Sequence, residues 1–387
     1  MKKRVEKLQA ILRQDGLDGV LYASSANMQY LLDDTSYYWQ RSMETGGIEA
    51  GQGPNGHFLN RPDAILYVPA DGEPILFLTY NRAETMGCTA VRQVVDYYSH
   101  LPQAMTGLVK GKKIGYGESC DTALQAILAE AAPLAQAVSA EYCAERLRVV
   151  KDEKEIAALR KAAAFTDAAM AHTVQYLRPG VTRREVSNIM AKFGRDRGIR
   201  DLPFPATCLM VHTDDPDAKD VHAHGLDVPM QPGTSLGFDF GYVLDGYCSD
   251  FGRSFYCGKA QPLIADAYKA LQQAQLELFS RIRPGIGLGI CFDTLYASLE
   301  PTGYAPYLRK HMDFGLMGHQ IGIDVHERPW LHSDQEAVFQ PGMVMCIEPK
   351  IWIPGKVFMR VEDMVLITET GCESLTAFDR ELYELPI

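Results

Sequence analysis

The sequence predicts an α/β layer domain over residues 1–145 and a second domain over residues 146–387 built from two copies of one helix-and-strand unit. Three observations carry this. Short apolar runs alternate with helix-periodic segments in the first part. Proline-glycine loops recur in pairs in the second part, and acidic residues stand at matching places beyond them. With 387 residues the chain also exceeds the ~100–200 typical of one domain.

In the first part, residues 3–15 have helical periodicity. The runs Gly19–Ala23, Ala64–Val68, Pro74–Leu78, Val94–Tyr98 and Lys113–Tyr116 have the length and apolar content of strands, and Thr122–Ala135 is a second helical segment. Between Asp33 and Pro62 lies a loop-like stretch rich in glycine, asparagine and aromatics, among them Tyr37, Tyr38 and Trp39, with Arg41 beside them. Long loops of this kind are commonly functional. Its aromatics suit packing over another surface, such as a neighbouring subunit.

Composition narrows the class. Hydrophobic residues at 47% suffice for a sizeable core. A net charge of −11, with no basic cluster, argues against nucleic acid or an anionic membrane as partner. The nine cysteines are scattered, odd in number and without a C-x-x-C pair, which points to reduced thiols in a cytoplasmic protein. Met1–Leu12 has a charged start but no apolar stretch after it, so it reads as an amphipathic helix and not a signal peptide. No segment reaches the ~20 apolar residues of a membrane span.

The second part opens on Lys151–Arg160, where acids and bases at helical spacing suit the solvated face of a surface helix. Leu177-Arg-Pro-Gly-Val181 is then matched by Ile282-Arg-Pro-Gly-Ile286, and Gln231-Pro-Gly233 by Gln340-Pro-Gly342. Thr182-Arg-Arg-Glu185 has the capping-box pattern of a helix start. Asp239 and Glu348 stand equally far beyond their Gln-Pro-Gly loops, and Asp250 and Glu362 follow them. Two such units facing one another would bring four carboxylates to one centre.

The stretch Gly237–Asp250 predicts two antiparallel strands turning at Gly246, with Asp239 and Asp250 on one face and Asp245 serving the turn. His319 and His326 flank alternating Ile321, Ile323 and Val325, which suggests a strand with both rings near one site. Glu348 ends an apolar run, where an acid is costly to bury unless it is paired or bound to metal. Period-two alternation places Arg360, Glu362 and Met364 on one face, so Arg360 can orient a carboxylate. Oxygen-rich ligation with one imidazole suits Mn²⁺, Fe²⁺, Co²⁺ or Zn²⁺.

Together, Gly237–Asp250, Gly318–Glu327, Cys346–Pro349 and Arg360–Asp363 resemble the metal-binding motifs of the pita-bread metallopeptidase family, which holds prolidase, aminopeptidase P and methionine aminopeptidase. The resemblance spans nearly the whole chain. It implies a creatinase-type, ribonuclease H-like α/β N-terminal domain, to which Asn27–Leu32 is similar, and an α+β pita-bread C-terminal domain with a pseudo-two-fold repeat. It further implies two divalent ions, manganese foremost, with Asp239, Asp250, His319, Glu348 and Glu362 as ligands. Glu348 would also shuttle a proton, His326 would stabilise the reacting carbonyl, and His222 would lie on the leaving-group side. The implied activity is hydrolysis of Xaa-Pro bonds in dipeptides or short peptides, by a homodimer whose Asp33–Pro62 loop reaches the partner's site.

Two departures from the family pattern stand out. Gln320 replaces a glycine beside His319, where it would alter the pocket wall, and the charged segment Val211–Asp220, with His212 at its exposed start, replaces a small polar stretch. The second keeps open a metal-dependent hydrolase or lyase acting on a small zwitterion. A binding protein that has lost catalysis would be expected to lack a ligand, and none is missing.

Overall fold

Val5, Leu8 and Leu12 form one apolar stripe on Lys2–Gln14 (α1), the amphipathic pattern read from the sequence. The computed structural model describes residues 1–34, 38–40, 48–52, 58–79, 83, 91–96, 101–119, 121–213, 225–309, 316–332 and 335–387. The chain divides into two compact units, Met1–Arg148 and Val149–Ile387.

After α1 the first unit continues through Gly19–Ala23 (β1), Ala26–Leu32 (α2), Ile48–Gln52 (β2), Phe58–Pro62 (β3), Ala64–Pro69 (β4), Ile75–Thr79 (β5), Arg92–Asp96 (β6), Leu101–Met105 (α3), Lys113–Tyr116 (β7), Asp121–Ala131 (α4), Gln136–Ser139 (β8) and Glu141–Arg148 (α5). A mixed sheet runs β6-β5-β4-β1-β7-β8. Its central strand β1 is buried throughout, as its unbroken apolar run requires. Ser25 caps α2, its hydroxyl accepting from the Met28 N–H at 3.2 Å. In this α2 segment, Asn27 accepts from Arg148 Nε at 2.9 Å. Two differences from expectation have local causes. α4 stops at Ala131 because Pro133 disfavours helix at Ala132. Part of the stretch taken as loop forms the β2–β3 antiparallel ribbon, and Tyr37 and Arg41 lie outside the described residues.

The second unit begins with Glu153–Val174 (α6) and Arg183–Arg195 (α7), each opened by a capping box, Asp152 with Glu155 and Thr182 with Glu185. Then come Thr207–His212 (β9), Thr234–Asp239 (β10), Val243–Leu244 (β11), Tyr247–Cys248 (β12), Ser254–Cys257 (β13), Pro262–Arg281 (α8) and Ile290–Leu299 (α9). Gly318–Gln320 (β14), Val344–Ile347 (β15), Lys350–Ile353 (β16), Val357–Arg360 (β17), Asp363–Ile367 (β18), Cys372–Ser374 (β19) and Tyr383–Leu385 (β20) complete it. No helix among the described residues is long and apolar enough to cross a membrane.

The repeat is visible in the backbone. One sheet runs β9-β10-β13-β20 and the other β14-β15-β18-β19, each after a pair of helices. Gly180 N–H donates to Met230 O and Gly285 N–H to Phe339 O, both at 2.8 Å, so the paired Arg-Pro-Gly and Gln-Pro-Gly loops close on each other in the same way. Gly233 and Gly342 turn the chain into β10 and β15 with φ of 88° and 87°, a conformation costly for residues with a Cβ.

Arg253 joins the two sheets. This buried guanidinium donates to the carbonyls of Gly252 at 2.8 Å and Glu362 at 2.5 Å, and Nη2 meets Asp363 Oδ1 at 2.7 Å. Asp363 also accepts from Thr376 at 2.7 Å and Arg380 at 2.8 Å. Asp363→Ala would leave the Arg253 charge buried without its carboxylate. It is expected to cost about 3–5 kcal/mol of stability, measured by urea unfolding.

Candidate metal centre

The first two acids come from a hairpin, as the sequence predicts. β10 pairs with β13 in a register that sets Gly237 opposite Ser254, and the pairing extends to Phe240 opposite Phe251. Asp239 and Asp250 therefore leave the ribbon on the same face. Between them, Asp245 and Gly246 make the turn at positive φ, and Asp245 pairs with exposed Lys161 at 2.9 Å. Gly252 supplies space: a Cβ there would lie 2.3 Å from Arg360 Cδ and 2.8 Å from Glu362 Oε2.

The second sheet brings His319 on β14, directly opposite Cys346 on β15, and Glu348 just beyond the end of β15. Glu362 follows β17, where its N–H donates to Gly252 O at 2.9 Å. The predicted continuous alternation through Arg360, Glu362 and Met364 does not hold. β17 ends at Arg360, and β18 starts at Asp363 in a different sheet. Arg360 and Glu362 still meet, Nη1 to Oε2 at 3.0 Å. The predicted strand through Val325 likewise ends at Gln320. Residues 321–326 form a bend fastened by Glu327 Oε1, which accepts from the N–H groups of Ile323 and Asp324 at 3.1 and 3.3 Å. The bend nevertheless brings the rings of His319 and His326 to 4.5 Å.

The ligand atoms of Asp250, His319, Glu362 and Cys346 all lie within 4.8 Å of one another, and the four residues are buried. His319 Nε2 is 3.5 Å from Asp250 Oδ2 and 3.8 Å from Glu348 Oε1. Its Nδ1 lies 3.0 Å from the Gln320 carbonyl, which can only accept, so Nδ1 carries a proton and Nε2 faces the carboxylates. Arg360 contacts Asp239 through Nη1 and Glu348 through Nη2 at 3.5 Å, and Lys350 contacts Glu348 Oε2 directly.

Electrostatics describe a centre short of positive charge. Burial, then the charge of Asp250, pushes the Glu362 carboxyl well above its ordinary range against the pull of Arg360. Burial also pushes Asp250 up, while His319 opposes. Burial alone would raise Glu348, but Lys350, Arg360 and His319 outweigh it and hold the group well below the usual carboxylate range. Glu362 Oε1 is buried with no hydrogen-bond partner among the described residues. An orphaned carboxylate oxygen, an imidazole Nε2 and further acids aimed at one point are a donor set that fits divalent cations.

Some expectations need correction. Lys151, read as part of a solvated face, is buried, with Nζ donating to Gln320 Oε1 at 2.6 Å and pairing with Glu327 at 3.1 Å. Gln320 follows His319 on β14 and so leaves the strand on the opposite face. It lies opposite Met345 of the core, on the face away from His319. His212 is half-buried, its Nδ1 2.6 Å from Thr234 Oγ1. His222 and residues 214–220 lie outside the described residues. Lys350 and Trp330, whose ring lies 6.0 Å from that of His326, were not anticipated. Period-two spacing from Glu348 could have signalled Lys350.

A metal-dependent hydrolase with a carboxylate-rich centre is the class to which this fold and site belong. The model of metallopeptidase family M24 matches residues 157–369, and that of the creatinase/prolidase N-terminal domain matches residues 4–150. The chain belongs to metallopeptidase family M24, with a creatinase-type N-terminal domain and a pita-bread catalytic domain, and is a metallopeptidase. It is 27% identical to the uncharacterized peptidase YqhT of Bacillus subtilis, covering 98% of this chain and 99% of that protein. Among solved structures it resembles dipeptidase PepE from Mycobacterium ulcerans, with a TM-score of 0.78, 26% identity, and 100% and 98% of the two chains covered. The prolidase from Pyrococcus horikoshii has the same fold, with a TM-score of 0.80, 22% identity, and 98% and 99% covered.

His326 yields a pH prediction. Burial, with His319 beside it, lowers its pKa to about 4 from an ordinary 6.5. Between those values the unfolded chain takes up a proton that the native ring refuses. The ring's contribution is therefore full above pH 6.5 and is lost as pH falls toward 4. Urea midpoints at pH 7 and pH 5 should differ more for the wild type than for His326→Asn.

Proposed function

We propose that this metallopeptidase is a dinuclear enzyme that hydrolyses Xaa-Pro bonds in dipeptides or short peptides. The observation that carries it is the convergence of Asp239, Asp250, His319, Glu348 and Glu362 from two sheets, with an unpartnered Glu362 oxygen at the centre. By family resemblance, Asp239 would help to hold one ion and His319 with Glu348 the other, with Asp250 and Glu362 shared between them. When bound, the ions would supply a nucleophile at neutral pH and polarise the scissile carbonyl.

The chain's own groups divide the remaining work. Glu348 is ionised at neutral pH, so it can accept a proton and hand it to the leaving nitrogen. His326 is neutral and sits beside His319, where its ring can hydrogen-bond a developing oxyanion. Arg360 fixes the orientation of Asp239, Glu348 and Glu362. His222 is assigned to the leaving-group side by family resemblance. Proline amides lack an N–H and are poor substrates for general peptidases, so a dedicated pocket suits them. The names of the prolidase and dipeptidase relatives support a short peptide substrate. Manganese is the first choice of metal, with cobalt, zinc or iron as alternatives. A homodimer in a reducing cytoplasm completes the reading. Among the described residues, Cys143, Cys208, Cys257, Cys291, Cys346 and Cys372 form no disulfide, in keeping with that compartment.

Metal analysis followed by a screen with added Mn²⁺ tests this. Xaa-Pro dipeptides or short Xaa-Pro peptides should turn over in preference to small non-peptide zwitterions, and turnover of non-peptide zwitterions alone would refute the substrate. Glu348→Ala is expected to lower kcat by about 10²–10⁴-fold with the fold intact by circular dichroism. His326→Ala should lower kcat by about 10²–10³-fold without loss of metal in elemental analysis. Gel filtration at micromolar concentration should give a dimer.

A further inference from the structure

The bend that carries His326 is closed twice. At its mouth Gln320 and Glu327 exchange backbone hydrogen bonds, Gln320 N–H donating at 3.2 Å and Glu327 N–H at 2.9 Å. Inside it, Glu327 Oε1 accepts from the N–H groups of Ile323 and Asp324. Gly322 leaves room for that carboxylate, since a Cβ there would lie 2.6 Å from Oε1. The other oxygen, Oε2, is 3.1 Å from the Lys151 ammonium, and both side chains are buried. The same ammonium donates to Gln320 Oε1 at 2.6 Å, so it meets the bend at both ends. Lys151 is itself fixed by its backbone, its N–H donating to Gly342 O at 2.9 Å. Gly342 turns the chain into β15, the strand that leads to Glu348.

We propose that Lys151 is a positioning residue for the reaction: through Glu327 it holds the bend in the shape that sets His326 beside His319. The inference rests on the role given above to His326. A carboxylate stays buried only while a cation and hydrogen bonds compensate it. Here one oxygen of Glu327 takes the cation and the other takes the bend. Without the ammonium, Glu327 would turn toward water, and the N–H groups of Ile323 and Asp324 would lose their acceptor. His326 immediately precedes Glu327, so its ring would be displaced with it. Gln320, the departure from the family pattern, belongs to the same device, because its amide oxygen gives Lys151 an acceptor that a glycine there would lack. A hydrogen bond to a developing oxyanion is sensitive to small displacements, so the loss falls on kcat more than on KM.

Hydrogen exchange and a double-mutant cycle on the metal-loaded full chain test this. In Lys151→Met the amides of Ile323 and Asp324 should exchange about tenfold faster than in wild type, with those of β15 and α8 unchanged. On the peptide that wild type hydrolyses, kcat should fall about 10–100-fold and KM change less than about threefold, with metal content unchanged in elemental analysis. Added to His326→Ala, Lys151→Met should lower kcat by less than about twofold more, because the two residues act as one. Lys151→Met combined with Glu327→Gln removes the stranded charge and keeps an acceptor for Ile323 and Asp324, so it should regain about threefold in kcat over Lys151→Met alone. A merely structural lysine would lower kcat equally in both backgrounds and speed exchange throughout the catalytic unit; either result, or unchanged exchange at the bend, would overturn the proposal. Lys151→Gln takes the place of the methionine variant should that not fold, and failure of every uncharged variant to fold would assign Lys151 to the frame alone. Full kcat in His326→Ala would overturn the role of His326 and this inference with it. Low kcat in His326→Ala beside unaltered kcat in Lys151→Met would overturn the inference only.

Discussion

Carboxylates buried together repel, and the catalytic unit is organised around that fact. Lost hydration pushes both Asp250 and Glu362 toward the protonated form; the charges of Asp239 and Glu348 add to it at Asp250, and the charge of Asp250 adds to it at Glu362. Cations reduce the penalty in two ways. Arg360 and Lys350 are built into the ribbon beside the acids, and the donor set left over, with an imidazole nitrogen and an orphaned carboxylate oxygen, suits metal. Neither arginine nor lysine could replace an ion as Lewis acid.

The scaffold meets the geometric demand by duplication. Two sheets of matching strand order each deliver two acids, the first from a hairpin and the second from the ends of strands. Arg253 ties them at the point of need: it grips the carbonyl of Glu362 from behind while the side chain of Glu362 enters the centre. The adjacent Asp363 points the other way and neutralises that arginine. Two consecutive acids thus serve opposite ends, one the chemistry and the other the frame.

Much of this was legible in the sequence, where a side chain's chemistry left few options. The capping box at Thr182, the turn at Asp245 and Gly246, and the paired proline-glycine loops are local signals, and the structure follows them. What escaped was set by tertiary contacts. Lys151 and Lys350 carry the chemistry of surface residues, and only buried carboxylate partners explain their positions. The alternating apolar pattern after His319 resembles a strand, yet Glu327 folds its carboxylate back under Gly322, where a Cβ would lie 2.6 Å from that carboxylate, and bends the chain. β8 is mostly exposed, so its residues carry no apolar pattern, and it joins the sheet through its backbone alone. Family resemblance supplied the roles of the five proposed ligands, which spacing by itself left open.

The division of the ligands between two sheets also bears on how the protein comes into being. A chain that has completed only its first sheet holds a pair of aspartates on a hairpin, with neither imidazole nor glutamates to complete a cage. The centre therefore arises only when distant stretches of sequence dock, and an ion captured there binds the finished architecture in preference to any partly assembled form. Metal supply and maturation of the native state are in this way one equilibrium.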